Sequence, residues 1–284
     1  MRSRRAFVVA APALAAVILG ALAGTARGEP LQLSDVSSNW AGYVATGIGS
    51  TSSTASPAMA YADVTGQWVQ PRAICKRGVP SSVAVWVGIG GYSLSSQELE
   101  QTGTSADCDK LGRATYNMWY ELVPADSVDL KVKVAPGDVI AASVVVNGTD
   151  VLVQVNDRTT HVRFTRHLTM ASPDLSSAEW VAEAPSQCSD TGYCPQLALT
   201  RFSPVTFSRT YARGNSVSGT ISNPTWTATA LQLVPRGTHR VFGDRNDPTG
   251  ASGGAGAVPS PLVLDGSGFT ITWKANPAAA AAGS

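Results

Sequence analysis

The chain has 284 residues, 14% of them charged, and a formal charge of +1, so it lacks the basic excess of a nucleic-acid binder and the polarity of a disordered protein. A 44% hydrophobic fraction combined with 27 glycines and abundant Ser, Thr and Val suits an extracellular β-rich protein and not a helical one. Length alone leaves one large all-β domain or two smaller ones open.

At the amino end Arg2, Arg4 and Arg5 precede an uncharged, alanine-rich apolar stretch from Ala6 to Ala23 and the small residues Gly24-Thr25-Ala26. This is the pattern of a secretory signal peptide over residues 1–26, with cleavage between Ala23 and Gly28. Its removal takes away three arginines and no acid, leaving a slightly acidic mature chain. No later segment approaches the ~20 consecutive apolar residues that span a bilayer. The expectation is a secreted, extracellular monomer with no membrane in the mature form and no nucleic-acid partner.

Residues 27–36 read as a short linker. Residues 37–243, with a returning strand at 266–274, read as one β-sandwich domain, residues 244–265 as a Gly/Ala/Pro-rich loop and residues 275–284 as a disordered tail. In chain order the expected strands are Trp40 to Ala45, Asp63 to Val69, Ser82 to Ile89, Thr115 to Val123, Leu130 to Val134, Val139 to Val146, Val151 to Val155, His161 to Thr165, Glu179 to Ala184, Val205 to Tyr211, Thr227 to Val234 and Phe269 to Trp273. Pro136-Gly137-Asp138 and Asn147-Gly148-Thr149 punctuate alternating runs as hairpin turns do. So many antiparallel strands bury their apolar faces economically as two sheets packed face to face.

Four cysteines in an exported chain imply two disulfides, with three pairings possible. Cys188 and Cys194 enclose a short turn, and their pairing leaves Cys75 with Cys108. The spacings are not those of a zinc site, and His161, His167 and His239 stand apart from the cysteines. No metal and no cofactor are expected.

Three stretches carry candidate chemistry. In Glu179-Trp180-Val181-Ala182-Glu183 the strand period places both acids on one face, where the bland interpretation is the wet side of a sheet. Gln101, within Leu99-Glu100-Gln101-Thr102-Gly103, supplies an amide able to steady an oxyanion. In Thr115 to Glu121 one face holds Tyr116, Met118 and Tyr120, and the other holds Asn117, Trp119 and Glu121. The second combination suits a polar groove that also grips apolar ligand surface. Trp40 and Trp86 stand beside glycines that permit close backbone approach.

Ser38-Asn39-Trp40-Ala41-Gly42, Trp86-Val87-Gly88-Ile89-Gly90-Gly91, Gln101-Thr102-Gly103, Tyr116-Asn117-Met118-Trp119-Tyr120-Glu121, Ala178-Glu179-Trp180-Val181-Ala182-Glu183 and Phe202-Ser203-Pro204-Val205-Thr206-Phe207 occur in an order that resembles the glutamic peptidase (eqolisin) family. The resemblance spans about Ser37 to Tyr211. It implies a concanavalin A-like, jelly-roll type sandwich of two curved antiparallel sheets and a metal-independent endopeptidase acting on protein or peptide substrates, at acidic pH. It also implies a catalytic dyad of Gln101 and Glu183, with Trp40 and Trp86 in the substrate cleft beside Trp119, Glu121 and Asn117.

Gly90 and Asn117 stand where the family usually has aspartates. Fewer like charges near Glu183 would leave its pKa less elevated and the working pH less extreme. A cysteine the family pairs, shortly before Glu179, is absent. Two rivals use the same residues differently. One is a secreted glycoside hydrolase with Glu121 and Glu183 as paired carboxylates and the tryptophans as sugar platforms. The other is a non-catalytic carbohydrate-binding module.

Overall fold

The computed structural model describes residues 32–48, 59–187, 195–234 and 254–275. Within them the chain is all β, and no helix is long and apolar enough to cross a membrane. The strands are β1 (Gln32–Ser37), β2 (Trp40–Gly47), β3 (Tyr61–Val69), β4 (Ala73–Ile74), β5 (Ser81–Gly90), β6 (Leu99–Cys108), β7 (Ala114–Val123), β8 (Val128–Lys133) and β9 (Val139–Asn147). There follow β10 (Asp150–Asp157), β11 (Arg163–Thr169), β12 (Ser177–Glu183), β13 (Arg201–Phe202), β14 (Val205–Gly214), β15 (Val217–Gly219), β16 (Trp226–Leu233), β17 (Gly256–Pro259) and β18 (Phe269–Lys274).

The main sheet runs β11-β10-β9-β3-β14-β18-β17-β16-β2-β12-β5-β6-β7-β8, with β1 paired to β16 and β15 to β14, and β4 and β13 pair as a separate two-stranded sheet. The sheet curls over itself through β18 and β17, so that its halves pack face to face as a sandwich. Tryptophans tie the halves together. The Trp180 indole N–H donates to the Thr65 carbonyl at 2.7 Å, and that of Trp68 to Thr104 Oγ1 at 3.1 Å. An aromatic row continues through Trp68, Phe207, Phe269 and Tyr43, with successive centroids 5.5, 5.1 and 4.7 Å apart.

Alternation along the strands sorts residues between this core and the outer faces. Ala178, Trp180 and Ala182 join the main core, whereas Val181 belongs to a second apolar cluster on the other side of the same strand, with Trp40, Trp86 and Trp119. The period-two interpretation of β7 holds as well: Met118 and Tyr120 lie in the main core and Tyr116 packs against it.

Several expectations need correction. The linker expected at 27–36 contains β1, which pairs in parallel with β16. A strand edge needs main-chain partners, a requirement with no side-chain signature. The segment expected as a loop at 244–265 contains β17, paired with β16 and β18. β6 is missing from the expected strands because it is buried on both faces yet rich in Glu, Gln and Thr, so apolar alternation does not mark it. Its hydroxyls are satisfied internally, as where Thr102 donates to the Trp119 carbonyl at 2.7 Å. β11 starts later than expected because His161 adopts a φ of 62° in the preceding turn.

Cys75 and Cys108 form a disulfide with Cα atoms 5.4 Å apart, pinning the segment after β4 to the end of β6. The Cys188–Cys194 pair, the signal peptide and the tail from residue 276 lie outside the described residues. The Cys75–Cys108 link closes a loop of 33 residues in sequence separation. Replacing both cysteines by serine is expected to lower unfolding free energy by about 2–4 kcal/mol, measured by denaturant titration. An unchanged midpoint would deny the link a stabilising role.

Candidate active site

Register across five adjacent strands fixes what shares the outer face of this half. One rung carries Trp40, Glu183, Ala84, Ser105 and Asn117. The next carries Gly42, Val181, Trp86, Gly103 and Trp119, and the third carries Val44, Glu179, Gly88, Gln101 and Glu121. Small residues on the middle strands leave space between larger ones. A groove of about 800 Å³ opens there, lined by Gln101, Asn117, Trp119, Glu121 and Glu183 among others.

Gly103 is essential to that arrangement. A side chain there would collide with the Val85 carbonyl oxygen and sit 2.6 Å from Trp86 Cβ, so only glycine lets β6 approach β5 this closely, while the Trp86 ring lies against Gly88, where an added Cβ would meet it at 2.9 Å. The ring meets Trp40 edge-on at 4.9 Å, and both indoles are fully buried.

Glu183 is gripped from below. The Trp86 indole N–H donates to Oε2 at 2.9 Å and the Asn39 side-chain N–H to Oε1 at 3.2 Å. Asn39 is itself oriented by Ser37, whose hydroxyl donates to its Oδ1 at 3.1 Å. The Trp40 N–H acts on the same carboxyl electrostatically, although no hydrogen bond of ordinary geometry forms. Burial first, and the charge of Glu121 second, push the Glu183 carboxyl above the ordinary carboxylate range, while the N–H donors pull the other way.

Across the groove the Gln101 side-chain N–H donates to Glu121 Oε2 at 2.6 Å. Burial likewise raises the Glu121 pKa, opposed by that hydrogen bond. Glu121, on the strand beyond Gln101, is bonded to the amide and electrostatically coupled to the second acid. A side-chain amide carries two N–H donors, so one remains free to face a ligand.

Of the residues expected at the site, Gln101, Asn117, Trp119, Glu121 and Glu183 come together in one groove. Trp40 and Trp86 are fully buried beneath it, the Trp86 indole against the Glu183 carboxyl. The wet-side interpretation of Glu179 is overturned, since Glu179 is fully buried. Burial, more than the number of neighbouring acids, is the leading cause of the raised Glu183 carboxyl.

Asn39, although inside a quoted motif, was not singled out as a partner of Glu183; the contact joins residues 144 apart in sequence. Asp174 was missed too. It lies against Gly90, where an added Cβ would sit 2.8 Å from the Asp174 Cβ, and its carboxylate accepts from the Gly91 N–H and the Ser96 hydroxyl. An acid from the loop before β12 thus fills the space beside Gly90. No group of three or more His, Cys, Asp or Glu among the described residues is placed to hold a metal ion.

The family model for the Peptidase A4 family matches residues 38–238. No curated protein matches the chain. Among solved structures, scytalido-glutamic peptidase bound to a peptide-based transition state analog is 20% identical with a TM-score of 0.62, covering 83% of this chain and 98% of that one. SCP-B, an eqolisin in complex with the tripeptide Ala-Ile-His, is 19% identical with a TM-score of 0.59 over the same shares. Aspergilloglutamic peptidase from Aspergillus niger is 23% identical with a TM-score of 0.51, covering 68% of this chain and 99% of that one. At these identities the structural likeness establishes the fold.

Below the groove, Glu100 and Glu179 are completely buried, with neither carboxyl hydrogen-bonded within the described residues. Burial and the nearby Asp174 charge push Glu100 up to about 9, and burial raises Glu179 well above the ordinary value. The folded state holds these protons more tightly than the unfolded chain. Stability is therefore full below the unfolded pKa near 4.5 and falls as pH rises from there toward 9. Glu100 contributes a slope of about 1.4 kcal/mol per pH unit over that window, and Glu179 acts in the same direction. Melting temperatures are expected to drop from pH 4.5 to 9, and Glu100→Gln to flatten the decline; a melting profile independent of pH would contradict the burial of these acids.

Proposed function

Since the chain belongs to the Peptidase A4 family, we propose that it is a secreted, monomeric glutamic endopeptidase, working without a metal, in which Glu183 and Gln101 do the chemistry. The observation that carries this reading is the groove itself, where a carboxyl held by two N–H donors faces an amide whose orientation a second carboxyl fixes.

Glu183, as carboxylate, takes a proton from a water as the water oxygen bonds to the scissile carbonyl carbon. The free N–H of Gln101 donates to the oxyanion that develops on the carbonyl oxygen. The protonated Glu183 then delivers its proton to the leaving nitrogen, the C–N bond breaks, and the products are a carboxylic acid and an amine. Glu121 holds the Gln101 amide with an N–H, not its carbonyl oxygen, toward the reacting centre. The two coupled carboxyls retain one proton between them over the working range, as paired acids close together do.

The glycoside-hydrolase alternative uses the tryptophans as sugar platforms. Trp40 and Trp86 are buried with no exposed ring face, which leaves Trp119 alone to serve.

Cleavage of a denatured protein in the presence of pepstatin is expected for the wild type and abolished in Glu183→Gln. Gln101→Ala is expected to lose about 10²–10³ in kcat, the loss typical of one oxyanion donor. If both variants retain wild-type rates, the dyad is wrong.

Because both groove carboxyls are raised, the profile of kcat/KM against pH is expected to be bell-shaped and to peak well above pH 4.5. Glu121→Gln removes the carboxyl that keeps the shared proton, so the alkaline limb, set by loss of that proton, is expected to disappear while the acid limb stays in place. An optimum below pH 3, or an alkaline limb unmoved in Glu121→Gln, would overturn this coupling.

A further inference from the structure

The outer face of the opposite half of the sandwich carries a second recess, of about 430 Å³, on β3, β9 and β10 beside β14. Ala141 lies between Gln67 and Asn156 in one rung, and Ser143 between Thr65 and Gln154 in the next. The short Ala141 side chain opens the floor. Ser143 donates to Gln154 Oε1 at 3.2 Å, whereas the side-chain amides of Gln67 and Asn156 make no hydrogen bond within the described residues.

Two exposed arginines, Arg158 and Arg209, flank this floor, and no acid lines it. Among the described residues neither has a carboxylate at ion-pair distance. Acids on the same face are engaged elsewhere: Asp150 pairs with His167 at 3.0 Å, and the charge of Arg213 acts on Asp63. Arg209 has a φ of 51°, in the left-handed region, and the register of β14 against β3 slips between Ser208 and Tyr211. A bulge of this kind re-aims a side chain, and non-glycine residues at positive φ concentrate at binding sites.

We propose that this recess binds acidic polysaccharide, with Arg158 and Arg209 taking sugar carboxylates and Gln67 and Asn156 taking hydroxyls. A guanidinium matches a carboxylate with two parallel N–H donors, and a side-chain amide both donates and accepts, as a sugar hydroxyl does. An extended acidic peptide would join a sheet through main-chain groups. Here β3, β9 and β10 are each paired along both edges, so the ligand must be read by side chains alone. Binding on this face leaves the groove on the other face open, and the recess would tether the protein to an acidic matrix.

The test is affinity electrophoresis of the folded mature protein through gels containing polygalacturonate, uncharged dextran or poly-glutamate, with cleavage of a soluble peptide followed in parallel. Polygalacturonate is expected to retard the protein, and the other two polymers to leave it unretarded. Arg158→Gln and Arg209→Gly should each weaken retardation about tenfold, with peptide cleavage unchanged. Glycine accepts the φ of position 209 without strain, so Arg209→Gly should melt no lower than the wild type. Absence of retardation by polygalacturonate, equal retardation by poly-glutamate, or undiminished retardation in the double variant would each overturn the assignment. Retardation is read independently of cleavage, so it stands or falls apart from the peptidase reading.

Discussion

The carboxyl of Glu183 is held by N–H donors from two directions, the Trp86 indole on the neighbouring strand β5 and the Asn39 amide just before β2, and much of this half of the sandwich is arranged to make that possible. The Trp86 ring lies down only because Gly88 has no side chain, an added Cβ there meeting the ring at 2.9 Å. Asn39 is presented only because Ser37 orients it and the Ala184 N–H donates to its carbonyl oxygen at 2.9 Å. Burial raises the carboxyl's proton affinity while the donors restrain the rise. The balance places the group where it can accept a proton and return it.

The same half contains further buried acids, Glu100 and Glu179, without the donors that Glu183 enjoys. Their presence sets a direction for the whole fold: protonated, they are polar but neutral, and ionised, they would oppose burial. A groove chemistry that depends on raised carboxyls and a support layer that prefers to stay protonated favour the same side of neutrality. Asp174 belongs to this layer. It seats its carboxylate on the Gly91 N–H and the Ser96 hydroxyl and reinforces the raised proton affinity of both buried glutamates.

The two outer faces of the sandwich differ in kind. The groove face mixes tryptophans, small residues and acids, whereas the opposite face is a ladder of amides and hydroxyls bordered by arginines.

The sequence by itself determined the all-β class, most of the strands and the sorting of β7 and β12 into two faces, because a strand's side chains alternate with period two regardless of context. It also brought forward Gln101, Glu121, Asn117, Trp119 and Glu183, residues whose chemistry is unusual in strand-like surroundings. Only the tertiary structure decided that Trp40 and Trp86 lie under the groove, that Asn39 reaches Glu183 and that Asp174 occupies the space beside Gly90. Those facts depend on register between strands distant in the chain, and main-chain pairing leaves no trace in side-chain pattern. For the same reason β1 and β17 were unreadable as strands, and β6, which buries polar residues such as Glu100, Gln101, Thr102 and Thr104 on both faces, had no periodicity to reveal it. Periodicity belongs to a segment, whereas burial and hydrogen-bond partnership belong to the assembled sheet.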